Sequence, residues 1–157
     1  MSFAGQIHQS QDTAQFRGGL ILGTGVMTMD GEIPVEYLAA GDRILTRAGA
    51  RRLVAITVRV VHNTEMVYIG AGTLGHDRPC AQTVLPKNQM ILIRDWRAKA
   101  LYGAAQVMVA ASRLADGEMI RIETVPEARI FTLQFEADAI IYAGGLEVAA
   151  LRETVSV

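Results

Sequence analysis

Three side chains with chemistry to offer stand close together in the segment from His76 to Cys80: His76, Asp77 and Cys80. An imidazole beside a thiol is the pairing from which thiolate nucleophiles are made, and both groups ligate metals. One histidine and one cysteine fall short of the four ligands of a structural zinc site. Cys80 is the only cysteine of the chain, so neither an internal disulfide nor a thiolate-rich metal centre can be built from it, and neither a metal nor a cofactor is expected. The cluster reads as a solvated loop, and His62 and His8 read as edge or surface residues. Just upstream, Gly70, Gly72 and Gly75 satisfy G-x-G-x-x-G after an apolar run. A dinucleotide site needs a helix to begin there, with its amino terminus toward a pyrophosphate. The next residues are "HDRPCAQTVLP", with Pro79 and Pro86 and no helical period, so a glycine-rich turn is expected instead.

The elements that would position any such group are short and mostly extended. The chain has 157 residues, 50% hydrophobic and 20% charged, which suits one folded domain with a substantial core. A formal charge of -1 gives no electrostatic reason to expect nucleic acid or an anionic membrane as partner. Residues 1–17 are polar and aperiodic and read as a loosely ordered arm, with the domain over residues 18–157. The start lacks a basic segment followed by an apolar one, and nowhere do about 18 apolar residues run together, so a cytoplasmic protein is the default and non-classical export stays open. Strands are expected at Val26 to Met29, Arg43 to Arg47, Val54 to Val60, Met66 to Ile69, Met90 to Arg94, Met119 to Glu123, Arg129 to Glu136 and Ala139 to Ala143. The alternation of Val54, Ile56, Val58 and Val60 is the clearest of these. One helix is expected within Ala104 to Leu114, a segment that could begin as a strand, and Pro34 suits the first turn of a short helical stretch over Val35 to Leu38. The scattered methionines read as core fillers, and Trp96, between Asp95 and Arg97, is expected at a core edge under cationic stems. The pattern predicts an all-β fold of many short strands with at most one or two short helices.

From Gly23 to Gly49 the chain reads "GTGVMTMDGEIPVEYLAAGDRILTRAG". Gly23, Thr24, Asp30, Gly31, Pro34, Val35, Glu36, Gly41 and Asp42 form a frame that resembles the opening block of Hint domains, the self-processing modules of inteins and hedgehog carboxy-terminal regions. More narrowly, it is similar to the bacterial hedgehog/intein-type family. Later segments, "VLPKNQMIL", "VMVAASRLADG" and "DAIIYAGGLEVAAL", fall in the family's order. The resemblance implies the horseshoe-shaped Hint fold and, in active relatives, an acyl shift in which a cysteine or serine attacks the preceding carbonyl.

The resemblance also implies where that chemistry should sit. The nucleophile stands four residues before the Gly-Thr pair, and here that position is Gly19. A block histidine aligns with Asn88 and its partner hydroxyl with Leu85. A second histidine aligns with Asp138. The end of the chain, "RETVSV", lacks the His-Asn pair with which inteins release. Glycine cannot attack, leucine has no hydroxyl, and asparagine does not exchange a proton near neutrality. The expectation is a Hint fold with no catalytic residues in place, retained as a module for binding or assembly, with an unknown protein partner or a homodimer. The alternative is active self-processing through a non-standard nucleophile, for which Ser10 and Thr13 are the nearest upstream hydroxyls.

Overall fold

Two hairpins made on the same turn open the fold. Strands β2 (Gly25–Thr28) and β3 (Gly31–Pro34) pair with Thr28 opposite Gly31, and β4 (Arg43–Thr46) and β5 (Gly49–Arg52) pair with Thr46 opposite Gly49. In each, the threonine hydroxyl donates to the glycine carbonyl, at 2.8 Å and 2.5 Å, and accepts the amide two residues on. Gly31 and Gly49 take φ of 99° and 98°, the left-handed region that a side chain disfavours. Thr-x-x-Gly is thus one turn used twice.

The computed structural model describes residues 18–152; the expected arm over residues 1–17 lies outside them. The fold is all-β, as the sequence predicts. After β1 (Leu20–Ile21) and the two hairpins come β6 (Ala55–Ile69), β7 (Thr83–Pro86), β8 (Met90–Ile93), β9 (Val107–Ala110), β10 (Ile120–Gln134), β11 (Ala139–Ala143) and β12 (Leu146–Ala150). One sheet has the order β1-β10-β6-β7; the other runs β3-β2-β4-β11-β12-β8-β9, with β5 on β4.

Strands β6 and β10 join stretches that the sequence presents as separate. They pair antiparallel from Ala55 opposite Gln134 to Ile69 opposite Ile120. Pro126 interrupts β10, where a proline cannot donate to the ladder; the register skips it, and Asn63 on the facing strand takes φ of 49°. The register is the same on both sides of the gap, so no residue is inserted, and at Pro126 β10 pairs with β6 alone, an edge position where a proline is tolerated. The ribbon's buried ends are Met66, Val67 and Ile69 on β6 and Ile120, Ile130, Phe131 and Leu133 on β10. The alternation does mark a strand, with Val58 and Val60 in β6 and Val54 just before it, and all three are about half exposed.

The expected helix is displaced. Ala104 to Leu114 holds β9, paired to β8 from Met90 opposite Ala110 to Ile93 opposite Val107, and a 3-10 turn over Ala111–Leu114. The helix, α1, is Trp96–Tyr102. The Asp95 carboxylate accepts the Arg97 amide, and Gly103 ends the helix in the left-handed region, so the caps decide its place. Trp96 is exposed, stacked under the Arg97 guanidinium at 4.8 Å, and not at the core edge expected of it. A 3-10 turn does form at Val35–Tyr37. The core is aliphatic, with Val26, Val35, Ile44, Leu53, Ile69, Leu85, Ile91, Ile93, Ile141 and Val148 buried between the sheets. Each such side chain contributes about 1.5–3 kcal/mol of burial.

Candidate functional site

The amino-terminal end of the described chain forms the edge strand of the first sheet. Leu20 and Ile21 pair with Phe131 and Ile130 of β10, which carries Gly18 and Gly19 up against the carboxy-terminal strand β12. Gly18 and Gly19 have φ of 101° and 137°. A Cβ at Gly19 would lie 2.6 Å from Ile130 Cγ2 and 2.9 Å from the Phe131 carbonyl, and one at Gly18 would lie 2.7 Å from Gln89 Oε1. Both positions combine a left-handed backbone with no room for a side chain.

Gln89 organises this corner. Its Oε1 accepts the Gly19 amide at 2.8 Å, while its Nε2 donates to the Met90 carbonyl at 2.9 Å and to the Ala149 carbonyl of β12 at 2.8 Å. The residue is 2% exposed. A buried carboxamide that meets three partners ties the first strand, β8 and β12 together. The cavity around Gly18, Gly19, Gln89, Thr132, Val148 and Ala150 has a volume of about 30 Å³, room for little more than a water molecule.

The other sequence-selected positions fall in different places. Leu85 is fully buried in β7 opposite Val67 and belongs to the core. Asn88 is half-buried in the turn between β7 and β8. Asp138 is exposed, accepts the Arg152 amide, and lines a separate cavity of about 540 Å³ with Thr46, Arg51, Met108 and Ile140. So the block segment does reach Gly19, and the side chain that makes the described hydrogen bond is Gln89. The sequence offers one signal for it: a residue adjacent to the aligned block position and ahead of an apolar run, "MILI", that must be a buried strand.

The frame residues act on the backbone. Glu36 Oε1 accepts the Gly23 amide at 2.8 Å, and the Val35 amide donates to the Thr24 carbonyl at 2.8 Å. The 3-10 turn thereby fixes the link between β1 and β2 and, with it, the approach of Gly19 to the site. Asp42 Oδ2 accepts the Ala39 amide at 2.9 Å, closing the turn before β4. Gly70 to Gly75 form turns and no helix, with the Gly72 amide on the Pro79 carbonyl at 2.8 Å. In that loop His76 lies 3.3 Å from Asp77, and Cys80 Sγ donates to the Asp77 carbonyl at 3.5 Å, with the histidine 96% exposed. Among the described residues no three His, Cys, Asp or Glu side chains gather as metal ligands, and no helix is long and apolar enough to cross a membrane.

The family model of the Hint domain matches residues 19–154, beginning at the glycine of this site. The chain belongs to the Hint domain family. Solved Hint-type structures match over most of their length. The bacterial intein-like domain of Clostridium thermocellum is 14% identical, with 85% of this chain and 98% of that one covered and a TM-score of 0.60. The TvoVMA intein is 12% identical, covering 85% and 98%, with a TM-score of 0.59. The gp41-1 intein is 12% identical, covering 83% and 97%, with a TM-score of 0.55. At such identities the likeness is one of fold. A search of curated proteins finds no match.

Proposed function

We propose that this Hint domain has lost self-cleavage and serves as a binding or assembly module. The observation that carries the reading is the state of Gly19. It has no side chain, its backbone excludes one, and the space that an attacking group would need is taken by Ile130 and the Phe131 carbonyl. Nucleophilic acyl transfer needs a thiol or hydroxyl on the attacking residue and a group that takes and returns its proton. Gln89, at the Gly19 amide, can hydrogen-bond but cannot exchange a proton near neutrality. Asn88, Leu85 and Asp138, the positions aligned with the family's chemistry, offer no imidazole and no hydroxyl.

A binding role has a platform in the β6–β10 ribbon. Val58 and Val60 of β6 are half exposed, and β7 pairs with only the Met66 to Ile69 end of β6. An unpaired strand edge with apolar side chains recruits another chain by adding a strand, and a second copy is the simplest partner. The test is the intact mass of purified protein under denaturing conditions, before and after thiol or hydroxylamine. The full-length mass should persist throughout. A fragment beginning at Gly19 overturns the reading. Sedimentation velocity over a range of concentrations tests self-association: a monomer at every concentration removes the homodimer.

A further inference from the structure

On the carboxy-terminal strand, away from the Gly19 corner, three arginines from three separate segments converge on one buried carboxylate. Glu147 of β12 is 7% exposed. Arg94, just past β8, pairs with its Oε1; Arg78, from the glycine-rich loop, lies 3.6 Å from the same oxygen; and Arg47, from the turn between β4 and β5, lies 3.6 Å from Oε2. Oε2 is buried and accepts no hydrogen bond among the described residues. Arg78, Arg94 and Glu147, with Tyr142, Leu74 and Leu92, line a cavity of about 260 Å³.

The charges do not close. Three guanidiniums against one carboxylate leave a formal surplus of two positive charges at one place. Burial, and then the neighbouring Arg78 and Arg47, hold the Arg94 guanidinium below its ordinary pKa, so the cations press on one another. Cohesion alone would be served by one arginine on Glu147; the other two add mutual repulsion. Guanidiniums present a fork of N–H donors matched to tetrahedral and planar oxyanions, and the apolar wall of Leu74, Leu92 and Leu146 strengthens their field. Tyr142, paired with Glu147 across β11 and β12, adds a phenol to the lining.

We propose that this cavity binds a doubly charged oxyanion, a phosphate group held free or as a phosphomonoester, between Arg78 and Arg94 over Glu147. The anion balances the surplus, and Glu147 fixes the arginines so that binding does not have to order them. The volume admits a phosphate with an organic substituent beside it.

The experiment uses the whole chain and reads melting temperature at constant ionic strength as chloride is exchanged for inorganic phosphate or for O-phosphoserine. A saturable rise with phosphate beyond that in chloride is expected. Arg78→Gln, a change at a partly exposed loop residue, should remove it. Glu147→Gln, if its circular dichroism shows it folded, takes the surplus from two charges to three and should tighten phosphate binding several-fold. A larger effect of O-phosphoserine assigns the site to phosphomonoesters; an equal one assigns it to the free anion. The proposal falls if phosphate and chloride give the same melting temperature, or if Arg78→Gln retains the full shift.

Discussion

The Gly19 amide donates to the Gln89 carboxamide oxygen at 2.8 Å across an interval of 70 residues, and the same side chain holds Ala149 of the last strand. The two ends of the domain therefore meet through a single buried amide. Gln89→Ala would leave the Gly19 N–H and the Ala149 carbonyl without their partner in a nearly closed corner. A loss of about 3 kcal/mol is expected, the cost of stranding buried polar groups. Urea unfolding checks it: the midpoint should fall while the slope stays unchanged, and a midpoint like that of the unchanged protein would show that Gln89 holds nothing.

Restoring a thiol at the family's attacking position should not restore the chemistry. Gly19→Cys must place a Cβ 2.6 Å from Ile130 Cγ2 and 2.9 Å from the Phe131 carbonyl, on a backbone at φ of 137°. The side chain of Ile130 can shift, but the carbonyl cannot without moving β10. A destabilisation of about 1–3 kcal/mol is expected, with no thiol-dependent release of a peptide ending at Gly18. Gly19→Ala is the control: it should be destabilised to the same degree, since the strain lies at Cβ and not at sulfur. Dithiothreitol-dependent cleavage of Gly19→Cys, seen by mass, would show that the corner opens readily.

The fold class and the frame are legible in the sequence because their signals are local. Asp30-Gly31, Pro34 and Gly41-Asp42 turn the chain through backbone geometry that only a few residue types allow, and each acts within a few residues. The repeated Thr-x-x-Gly turn is equally local, in "TMDG" and "TRAG", but its register shows only once the strands are paired. Alternation at Val54 to Val60 marks a strand correctly, since period two reports extended backbone, but it does not say what covers the strand. The helix is misplaced by the sequence reading because seven residues carry too little periodicity to compete with the apolar run of β9; the Asp95 and Gly103 caps are the better guide. For Gln89 the sequence offers only its place beside the aligned block position, since two of its partners are 70 and 60 residues away.

Asp95 gives a direct test of the caps. Its carboxylate accepts the Arg97 amide and pairs with the Arg97 guanidinium, which in turn donates to the Thr73 carbonyl at 3.0 Å. Asp95→Ala removes the cap and frees Arg97 from the glycine-rich loop, at an expected cost of about 1–2 kcal/mol. Asp95→Asn keeps the capping oxygen but loses the ion pair, and should cost less. Thermal unfolding of the two variants orders them. Equal losses would mean that the ion pair, and not the cap, sets where the helix begins.

Acid sensitivity has an identifiable contributor in Asp116. Its Oδ1 accepts the Ile120 amide at 3.0 Å and the Glu118 amide at 2.8 Å, closing the loop that leads into β10. These backbone donors, Ile120 first, hold its carboxyl below the ordinary aspartate value. A depressed folded pKa sets the sign. The contribution is present in full above the ordinary aspartate value and drains away as the pH falls through the lower folded one. Asp116→Asn keeps an acceptor oxygen but cannot ionise, so the gap in urea midpoint between the variant and the unchanged protein should be widest at neutral pH. It should narrow and close as acid protonates Asp116. Because backbone hydrogen bonding is the chief cause and the Arg97 charge a lesser one, added salt should leave most of the gap in place. A gap that stays constant down the acid limb would place the shift elsewhere, and one that salt abolishes would make it a surface charge effect.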